Sequence, residues 1–506
     1  MKNFIEIDGN SLNLRKIRKL IEKDQKIKLS KKAKKTVLDS YQIVKSIISK
    51  EKTVYGITTG FGSFAQVRIS EKDTAKLQEN LVFSHAAGVG EPFDPKTVKI
   101  IMLLRANALA KGLSGVSPET IELLIEFYNR NIIPYVPKYG SVGASGDLAP
   151  LSHIALCLIG HGQVFYKGKW VKTSTVLKKE KLKPLKLKAK EGLALTNGTQ
   201  MMTAVAVLSI LKFEDLLKKA IISAGMSLEA LLGSLTPFRK EIHNARPHYG
   251  QKKIAEIFRK TLEDSDLIHS HLKCTKVQDA YTLRCIPQVY GACLDTLKSV
   301  SKVIEIEINS ATDNPLIISE DVVLSAGNFH GEPIALNLDF LAIAVSEIAN
   351  MAERRIDRLL NNASNQTLPP FLVKNGGLNS GLMIAQYTAA ALVSENKILS
   401  HPASVDSIPT SANQEDHVSM GSIGATKIIK ILENLDYVVN IELLCAFNAL
   451  QFHKQAPSRI NKKVVKLISE ELEPWETDHI AYIEIETIKD ISDTEDFKKI
   501  ISGIKL

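Results

Sequence analysis

Cysteine is scarce in this chain, with five residues among 506, and none of them forms a C-x-x-C pair. This scarcity excludes a zinc ribbon, a cysteine-ligated iron–sulfur cluster and a disulfide framework. A chain that folds without disulfides is typical of a reducing compartment. The first residues also lack the apolar segment of a secretory signal, so the sequence predicts a cytoplasmic protein.

Common nucleotide and metal motifs are missing as well. The sequence contains no G-x-x-x-x-G-K-[ST], no H-E-x-x-H and no G-x-S-x-G, which excludes the usual phosphate loop, zinc-protease helix and hydrolase elbow. The glycine pairs at 60–62 and 88–90 lack the third glycine of a dinucleotide fingerprint. His269 and His271 stand close together but have no third ligand nearby. We therefore expect neither a nucleotide cofactor nor a metal ion.

Aromatic residues make up only 6% of the chain, while the net charge is +10. The lysines cluster at 31–35 and 178–190 without aromatic residues between them. Such runs are typical of solvated surface, and they lack a stacking platform for bases. Nucleic-acid binding stays open as an alternative that a salt-independent gel shift would exclude. Two charge-free stretches, 192–211 and 375–394, carry polar side chains throughout, so no membrane span is predicted.

Long segments without proline or glycine predict long helices. Residues 334–361 and 425–453 carry apolar side chains at steps of three and four, and 200–224 form a third uninterrupted segment. Helices of this length favour a bundle. We expect the apolar seams of the first two segments to bury each other across subunits.

The N-terminal part differs from the rest of the chain. Glycine and proline recur there, and two short strand-like runs, 164–166 and 169–171, flank Lys167-Gly168 as in a small hairpin. The sequence therefore predicts a mainly α fold in two parts. Residues 1–195 would form a loop-rich part with small β elements, and residues 196–506 a bundle of long helices.

The segment 140–153 has the unusual sequence GSVGASGDLAPLSH. One interpretation is a glycine turn whose Ser or Asp caps the following helix. The other concerns Ala144, Ser145 and Gly146. Since the Gly146 nitrogen has no Cβ beside it, it approaches the Ala144 carbonyl at low steric cost. Ring closure and dehydration of Ser145 would give a methylidene-imidazolone, an electrophile that no standard side chain supplies.

This segment resembles the signature of the aromatic amino acid ammonia-lyases, a family whose members act on histidine, phenylalanine or tyrosine. Seven further segments match the family in order between residues 55 and 420: YGITTGFG from 55, SHAAG from 84, LTNGT from 195, QDAYTLRC from 278, DNP from 313, GNFHG from 327 and NQEDH from 413. The resemblance implies a fold like that of the fumarase and aspartase superfamily. It also implies a homotetramer whose active sites are each built from three chains.

The resemblance also implies the cofactor and the site residues. The cofactor would be 4-methylidene-imidazol-5-one, formed from Ala144, Ser145 and Gly146. Tyr55 would act as the base, and Arg284 would clamp the substrate carboxylate through its two-donor fork. The remaining residues would surround the electrophile or the substrate: Glu415 and His85 at the substrate ring, Asn197, Gln278 and Tyr281 as hydrogen-bonding groups, and Phe329 packed near the electrophile.

The residues expected at the substrate ring favour histidine. His85 after Ser84, and Glu415, resemble the pattern of the histidine-specific members. An imidazole has two polar nitrogens that a pocket must hydrogen-bond, whereas a phenyl ring would leave Glu415 unpaired. Thr58 departs from this pattern, because histidine-specific members usually have Asn there. The predicted reaction eliminates ammonia from L-histidine and leaves trans-urocanate.

Other functions stay open at this point. The chain could act on tyrosine or phenylalanine, or be an aminomutase that uses the same group and returns the amine to the β-carbon. A non-catalytic paralogue is a further alternative, but the intact Tyr55 and Ala144-Ser145-Gly146 argue against it.

Overall fold

A computed structural model describes residues 4–50, 52–60, 62, 66–272 and 277–506. Within these residues the chain forms 21 α-helices and nine short strands, which confirms the predicted mainly α class. The helices are α1 Leu14–Glu22, α2 Lys31–Ser49, α3 Glu71–His85, α4 Pro95–Leu109, α5 Pro118–Asn129, α6 Leu148–Leu158, α7 Thr173–Glu180, α8 Glu191–Thr196, α9 Gln200–Ala230, α10 Lys240–Ala245, α11 Tyr249–Leu262, α12 Asp266–Ser270, α13 Tyr281–Arg284, α14 Ile286–Glu307, α15 Glu332–Leu360, α16 Asn362–Asn365, α17 Met383–Leu399, α18 Gly421–Leu450, α19 Arg459–Ser469, α20 Ala481–Asp493 and α21 Glu495–Ser502. The strands are β1 Ile5–Ile7, β2 Ile27–Leu29, β3 Val89–Pro92, β4 Ile133–Pro134, β5 Pro137–Tyr139, β6 Gln163–Tyr166, β7 Lys169–Lys172, β8 Leu316–Ile317 and β9 Val323–Leu324.

The chain folds into two compact units, each made of three segments. The first unit comprises Met1–Leu208, Ser301–Asp339 and Pro402–Thr426. The second comprises Ser209–Val300, Phe340–His401 and Lys427–Leu506. The division into parts after residue 195 stays a prediction.

All nine strands belong to the first unit, where they form four small sheets. β6 and β7 pair antiparallel, with Val164 opposite Val171, as the sequence predicts for a hairpin at 164–171. Their connection, Lys167-Gly168, has φ values of 50° and 83°. Two left-handed residues in a two-residue turn match the right-handed twist of the paired strands.

The second unit contains most of the predicted apolar seams. Every seam position is buried within the single chain, which includes Leu341, Val345, Ile348, Ala352, Ile356 and Leu359 of α15 and Ile428, Ile431, Leu432, Leu435, Val438 and Val439 of α18. The expectation that these two seams bury each other across subunits is therefore wrong. Periodicity identifies the apolar face of a helix but not what covers it. Other side chains of α15, Phe340 and Ile343, remain 47% and 46% exposed.

Among the described residues, α15 is the one helix long and apolar enough to cross a membrane. Its most apolar window is 61% buried inside the protein. Burial of this kind is typical of a core helix, which passes the same test of length and composition.

Candidate active site

The Ala144-Ser145-Gly146 segment lies in the loop that joins β5 to α6 in the first unit. Ala144 is buried and packs with Val418 and Met420, whereas Ser145 is half-buried. Gly146 has a φ of 75°, in the left-handed region that glycine enters without a Cβ penalty. The loop therefore holds the Gly146 amide in a conformation that another residue would adopt only under strain.

Gly146 lies directly against Gly198 of a second loop. The two residues form an isolated parallel bridge, and the Asp147 amide donates to the Gly198 carbonyl at 2.6 Å. A Cβ added to Gly146 would stand 2.2 Å from the Gly198 oxygen. A Cβ added to Gly198 would stand 2.5 Å from an Arg105 nitrogen. The two glycines thus allow two backbone segments to approach more closely than side chains would permit.

Asp147 connects the loop between β5 and α6 to a second helix. It occupies the N-cap position of α6, but its side chain makes no cap bond to that helix. Instead its Oδ2 accepts from the amides of Met201 and Met202 at the start of α9, at 2.8 and 3.1 Å. Burial, with the charge of Glu307, raises the pKa of Asp147 to about 7, against the lowering effect of those two amides and Arg105.

Two helix N-termini therefore flank Ser145. Residues 145–147 lead into α6 and residues 197–199 lead into α9. The unpaired amides at a helix start carry a partial positive charge. This arrangement favours negative charge near Ser145.

Asn197 hydrogen-bonds the Ala144-Ser145-Gly146 segment directly. Its Nδ2 donates to the Ser145 carbonyl at 2.7 Å, while its own carbonyl accepts from the guanidinium of Arg105 at 2.9 Å. Arg105 is fully buried and also donates to Gln200 Oε1 at 2.7 Å. Burial lowers the pKa of Arg105 to about 10, so the side chain remains a cation at pH 7. Arg105 therefore fixes the loop that presents Asn197.

Glu415 meets the same serine from another segment. Ser145 Oγ donates to Glu415 Oε1 at 2.6 Å, and Thr410 Oγ1 donates to Glu415 Oε2 at 2.7 Å. Thr410 and Glu415 also pair through their backbones as an isolated antiparallel bridge. The structure thus brings together Ser145, Asn197 and Glu415, which are far apart in the sequence.

His85, the last residue of α3, is half-buried and lies close enough to Glu415 to be influenced by its charge. Burial lowers the pKa of His85 from its ordinary 6.5, against a hydrogen bond with the Leu81 backbone and the charge of Glu415, which raise it. The neutral ring therefore predominates at pH 7. In that form one ring nitrogen donates and the other accepts.

The Tyr55 loop reaches the Glu415 loop through Gly62. The Gly62 amide donates to the Tyr55 hydroxyl at 3.3 Å, and a Cβ on Gly62 would lie 3.1 Å from Ser411 Oγ. Phe61 of the same motif lies outside the described residues. Thr58, the residue that departs from the histidine-specific pattern, accepts from the Val54 amide and donates to the Lys52 carbonyl, both at 2.9 Å. Its hydroxyl therefore joins two backbone positions of its own loop by hydrogen bonds.

Phe329 is half-buried in the loop before α15, next to the one cluster of possible metal ligands found among the described residues. This cluster comprises His330, Glu332 and His417. The Glu332 amide donates to His330 Nδ1 at 3.3 Å, while His330 Nε2 faces the His417 carbonyl at 3.4 Å. That pattern puts the proton of a neutral His330 on Nε2, which favours a hydrogen-bonded histidine pair. The absence of a metal stays a prediction.

Three predicted residues belong to the second unit. Tyr281 and Arg284 lie on the short helix α13, where the guanidinium lies 4.6 Å from the centroid of the tyrosine ring. Gln278 and Tyr281 are exposed, the latter at 71%. Arg284 is half-buried, and its Nε has no hydrogen-bond partner among the described residues. This guanidinium therefore retains unused donor capacity.

Sequence reasoning missed three contributors: Arg105, Gly198 and Thr410. A signal existed for Arg105, which is the one charged residue in the apolar stretch 100–110; an isolated charge of this kind is typical of a buried, hydrogen-bonded group. Gly198 stood within a matched motif without a stated role. Nothing in the sequence around Thr410 indicates its contact with Glu415.

Substituting Gly146 with alanine tests the close approach of the two loops. The new Cβ would clash with the Gly198 carbonyl oxygen, 2.2 Å away, and would occupy a left-handed backbone position. We expect a loss of about 1–3 kcal/mol in the free energy of unfolding, together with slowed or blocked ring closure. Thermal unfolding and intact-mass spectrometry measure the two effects.

Gly168→Ala is the matched control for this variant. Gly168 has a similar φ of 83°, but no atom of the described residues lies within 4 Å of a Cβ added there. This variant should lose only about 1 kcal/mol and mature normally. If Gly146→Ala matures as fast as Gly168→Ala, close packing against Gly198 is not what ring closure requires.

Comparison with known proteins gives a consistent set of relatives. The model of the family described as aromatic amino acid lyase matches residues 12–470. The chain is 49% identical over 490 residues to histidine ammonia-lyase of Natranaerobius thermophilus, with 96% of each chain covered. It is 50% identical over 493 residues to the protein of the same name from Caldanaerobacter subterraneus subsp. tengcongensis, with 97% of this chain and 96% of that protein covered.

Solved structures share the fold over the whole chain. Histidine ammonia-lyase from Trypanosoma cruzi superposes with a TM-score of 0.91 at 39% identity, covering 100% of this chain and 96% of the other. Tyrosine aminomutase from Streptomyces globisporus superposes with a TM-score of 0.94 at 35% identity, covering 99% of each chain. These likenesses include both deaminating and amine-shifting enzymes.

Proposed function

Because the chain belongs to the aromatic amino acid lyase family, we propose that it converts L-histidine to trans-urocanate and ammonia. It is a carbon–nitrogen lyase of the ammonia-lyase type. The observation that carries the choice of histidine is the Glu415 carboxylate, which lies 2.6 Å from Ser145 Oγ and close to a His85 that is neutral at pH 7. Two polar partners beside the electrophile suit an imidazole ring, since both of its nitrogens require hydrogen bonds.

The residues present fit a methylidene-imidazolone made from Ala144, Ser145 and Gly146. Gly146 lies where a Cβ would clash with the Gly198 carbonyl oxygen. Asn197 donates to the Ser145 carbonyl and would stabilise negative charge there during dehydration. Asn197 Oδ1 is buried without a partner among the described residues. The group would supply an electrophilic alkene that takes up the amino nitrogen or the imidazole ring of the substrate.

We assign the proton transfers and the positioning to side chains of this chain. Tyr55 would act in its phenolate form, whose oxygen would take a proton from the β-carbon and become a neutral hydroxyl. The Gly62 amide, which donates to this oxygen at 3.3 Å, would stabilise the phenolate before the transfer. Glu415 and His85 would hold the imidazole, and Arg284 would bind the carboxylate through its planar fork.

We further propose a homotetramer in which several subunits complete each active site. The second unit supports this, because it exposes a set of large apolar side chains: Phe340 at 47%, Ile343 at 46%, Tyr387 at 63%, Ile398 at 74% and Leu378 at 87%. Exposed apolar patches mark protein–protein contacts. Gln278 and Tyr281 are also exposed, as residues completed by another subunit would be. A fully active monomer in sedimentation analysis would contradict this arrangement.

We place the enzyme in the cytoplasm and expect no nucleic-acid or membrane partner. The sparse cysteine and the mostly buried α15 support this placement. The lysine-rich segment 178–190 ends at Lys190, which is buried and paired with Asp313 at 2.7 Å. Lys190 therefore stabilises the fold and does not contribute to a surface that binds a polyanion.

Arg284→Lys tests the carboxylate clamp. A lysine ammonium is a point charge and cannot reproduce two parallel donors, so we expect kcat/KM for histidine to fall roughly 100-fold, since a misplaced carboxylate also misplaces the β-carbon. Arg239→Lys in the same unit is the control, because Arg239 forms a surface ion pair with Glu241. Near-normal kinetics of Arg284→Lys would remove Arg284 from the clamp.

The decisive experiment compares three amino acids. The purified protein is incubated with histidine, tyrosine or phenylalanine, and the absorbance of the unsaturated acid is followed beside an assay for free ammonia. We expect the highest kcat/KM with histidine and one ammonia per urocanate. Faster deamination of tyrosine or phenylalanine would overturn the assignment of the pocket. A β-amino acid without free ammonia would indicate the aminomutase instead.

A further inference from the structure

The segment that presents Glu415 has an unusual backbone conformation. Ser411, Ala412 and Asn413 follow one another with φ values of 53°, 53° and 63°. None of them is glycine, and left-handed conformations are uncommon for such residues, particularly in a row. Strained backbone of this kind persists where surrounding contacts determine it, and it concentrates at functional sites.

Thr410 and Glu415 are the two ends of this turn. The Thr410 amide donates to the Glu415 carbonyl at 3.0 Å, and the Glu415 amide donates to the Thr410 carbonyl at 3.3 Å. The Thr410 hydroxyl adds a third bond, to Glu415 Oε2 at 2.7 Å. Backbone and side chain of one residue therefore both hold Glu415.

The third bond determines how the carboxylate is oriented. A glutamate side chain rotates broadly about its last torsion, so a backbone bridge alone would not fix the plane of its oxygens. With Oε2 bound to Thr410, Oε1 is the oxygen that points to Ser145. Preorganised groups of this kind depend on neighbours that lock their rotamers.

We propose that Thr410 is a positioning residue for the reaction: its hydroxyl holds Glu415 Oε2, so that Oε1 faces the substrate imidazole at the electrophile. This rests on the proposed function, since it takes Glu415 as the group that meets the ring. Thr410 itself touches neither the electrophile segment nor Tyr55 through any hydrogen bond found among the described residues. Its effect on the reaction therefore passes through Glu415.

A pair of substitutions separates the hydroxyl from the shape of the side chain. Thr410→Val keeps the branched shape and removes the donor, whereas Thr410→Ser keeps the donor. We expect kcat/KM for histidine to fall roughly tenfold in Thr410→Val, because the carboxylate loses its fixed orientation, and to stay within about twofold of the unmodified enzyme in Thr410→Ser. Intact mass should show complete maturation of both variants.

A double-mutant cycle tests the route through Glu415. In a Glu415→Ala background, adding Thr410→Val should change the residual activity by less than about twofold, since the partner is already absent. The activity of the unmodified enzyme on histidine tests the proposed function, whereas the activity ratios between the variants test the role of Thr410. Unchanged kinetics in Thr410→Val, an equal loss in Thr410→Ser, or a further tenfold loss in the Glu415→Ala background would each overturn the role of Thr410.

Discussion

Ser145→Ala should abolish the deamination of histidine and leave the fold intact. Without a hydroxyl at this position no water can be eliminated, so the alkene cannot form. We expect the rate to fall at least about 1,000-fold, because the covalent route around a poor leaving group is lost. The fold should tolerate the change, since the hydrogen bond that Ser145 Oγ makes within the described part of the chain, to Glu415 Oε1, contributes only about 1 kcal/mol.

Intact-mass spectrometry measures this prediction directly. Ring closure and dehydration each release one water, so the mature enzyme should be lighter than its translated sequence by roughly 36 Da. Ser145→Ala should keep its full mass, and borohydride should not reduce its residual activity. Ser152→Ala is the control, because Ser152 is a buried serine seven positions away whose hydroxyl, among the residues that the structure describes, bonds within α6 to the Leu148 carbonyl. An active enzyme at its full, undehydrated mass would refute the mechanism.

Glu415→Gln should lower kcat/KM for histidine by roughly 100-fold, because a group aimed at the reacting region loses its charge. Glutamine has nearly the same size, but one of its two ends is a donor. Either Thr410 Oγ1 or the substrate ring would then face an NH2 group instead of an acceptor. Maturation should be unaffected, so this variant should still show the loss of two waters.

Asp416→Asn is the matched control for Glu415→Gln. Asp416 is the adjacent carboxylate of the same segment and is exposed, whereas Glu415 is half-buried. Its neutralisation should leave kcat/KM within about twofold, as for most exposed charges. If both variants lose activity equally, the net charge of the loop matters and the position of Glu415 does not.

The sequence named Ser145, Asn197 and Glu415 as members of one site, and the structure brings them together. Their roles stay predictions. Gly146 and Ser145 stand in an unusual run whose chemistry follows from the missing Cβ and the β-hydroxyl. Glu415 and His85 followed from their resemblance to a family pattern. The buried seams of α15 and α18 followed from helical spacing.

The remaining features depend on which distant segments meet, and local patterns do not contain that information. The contact of Gly198 with Gly146 and the bond from Thr410 to Glu415 are set by the packing of separate loops. The expectation about the seams failed for the same reason, since an apolar face does not specify its partner. Thr58 was singled out because its residue type differs from the histidine-specific pattern. The structure shows that its hydroxyl makes hydrogen bonds within its own loop, and residue type alone does not predict those bonds.

The close contact between Gly146 and Gly198 has a consequence for protein engineering. The three residues proposed to form the electrophile are not a portable motif, because the approach of the Gly146 amide depends on a second glycine about fifty positions away and on the buried Arg105 behind it. A scaffold that received only the Ala-Ser-Gly loop would lack the opposing backbone. Transplanting this chemistry therefore requires grafting two loops and one arginine as a single unit.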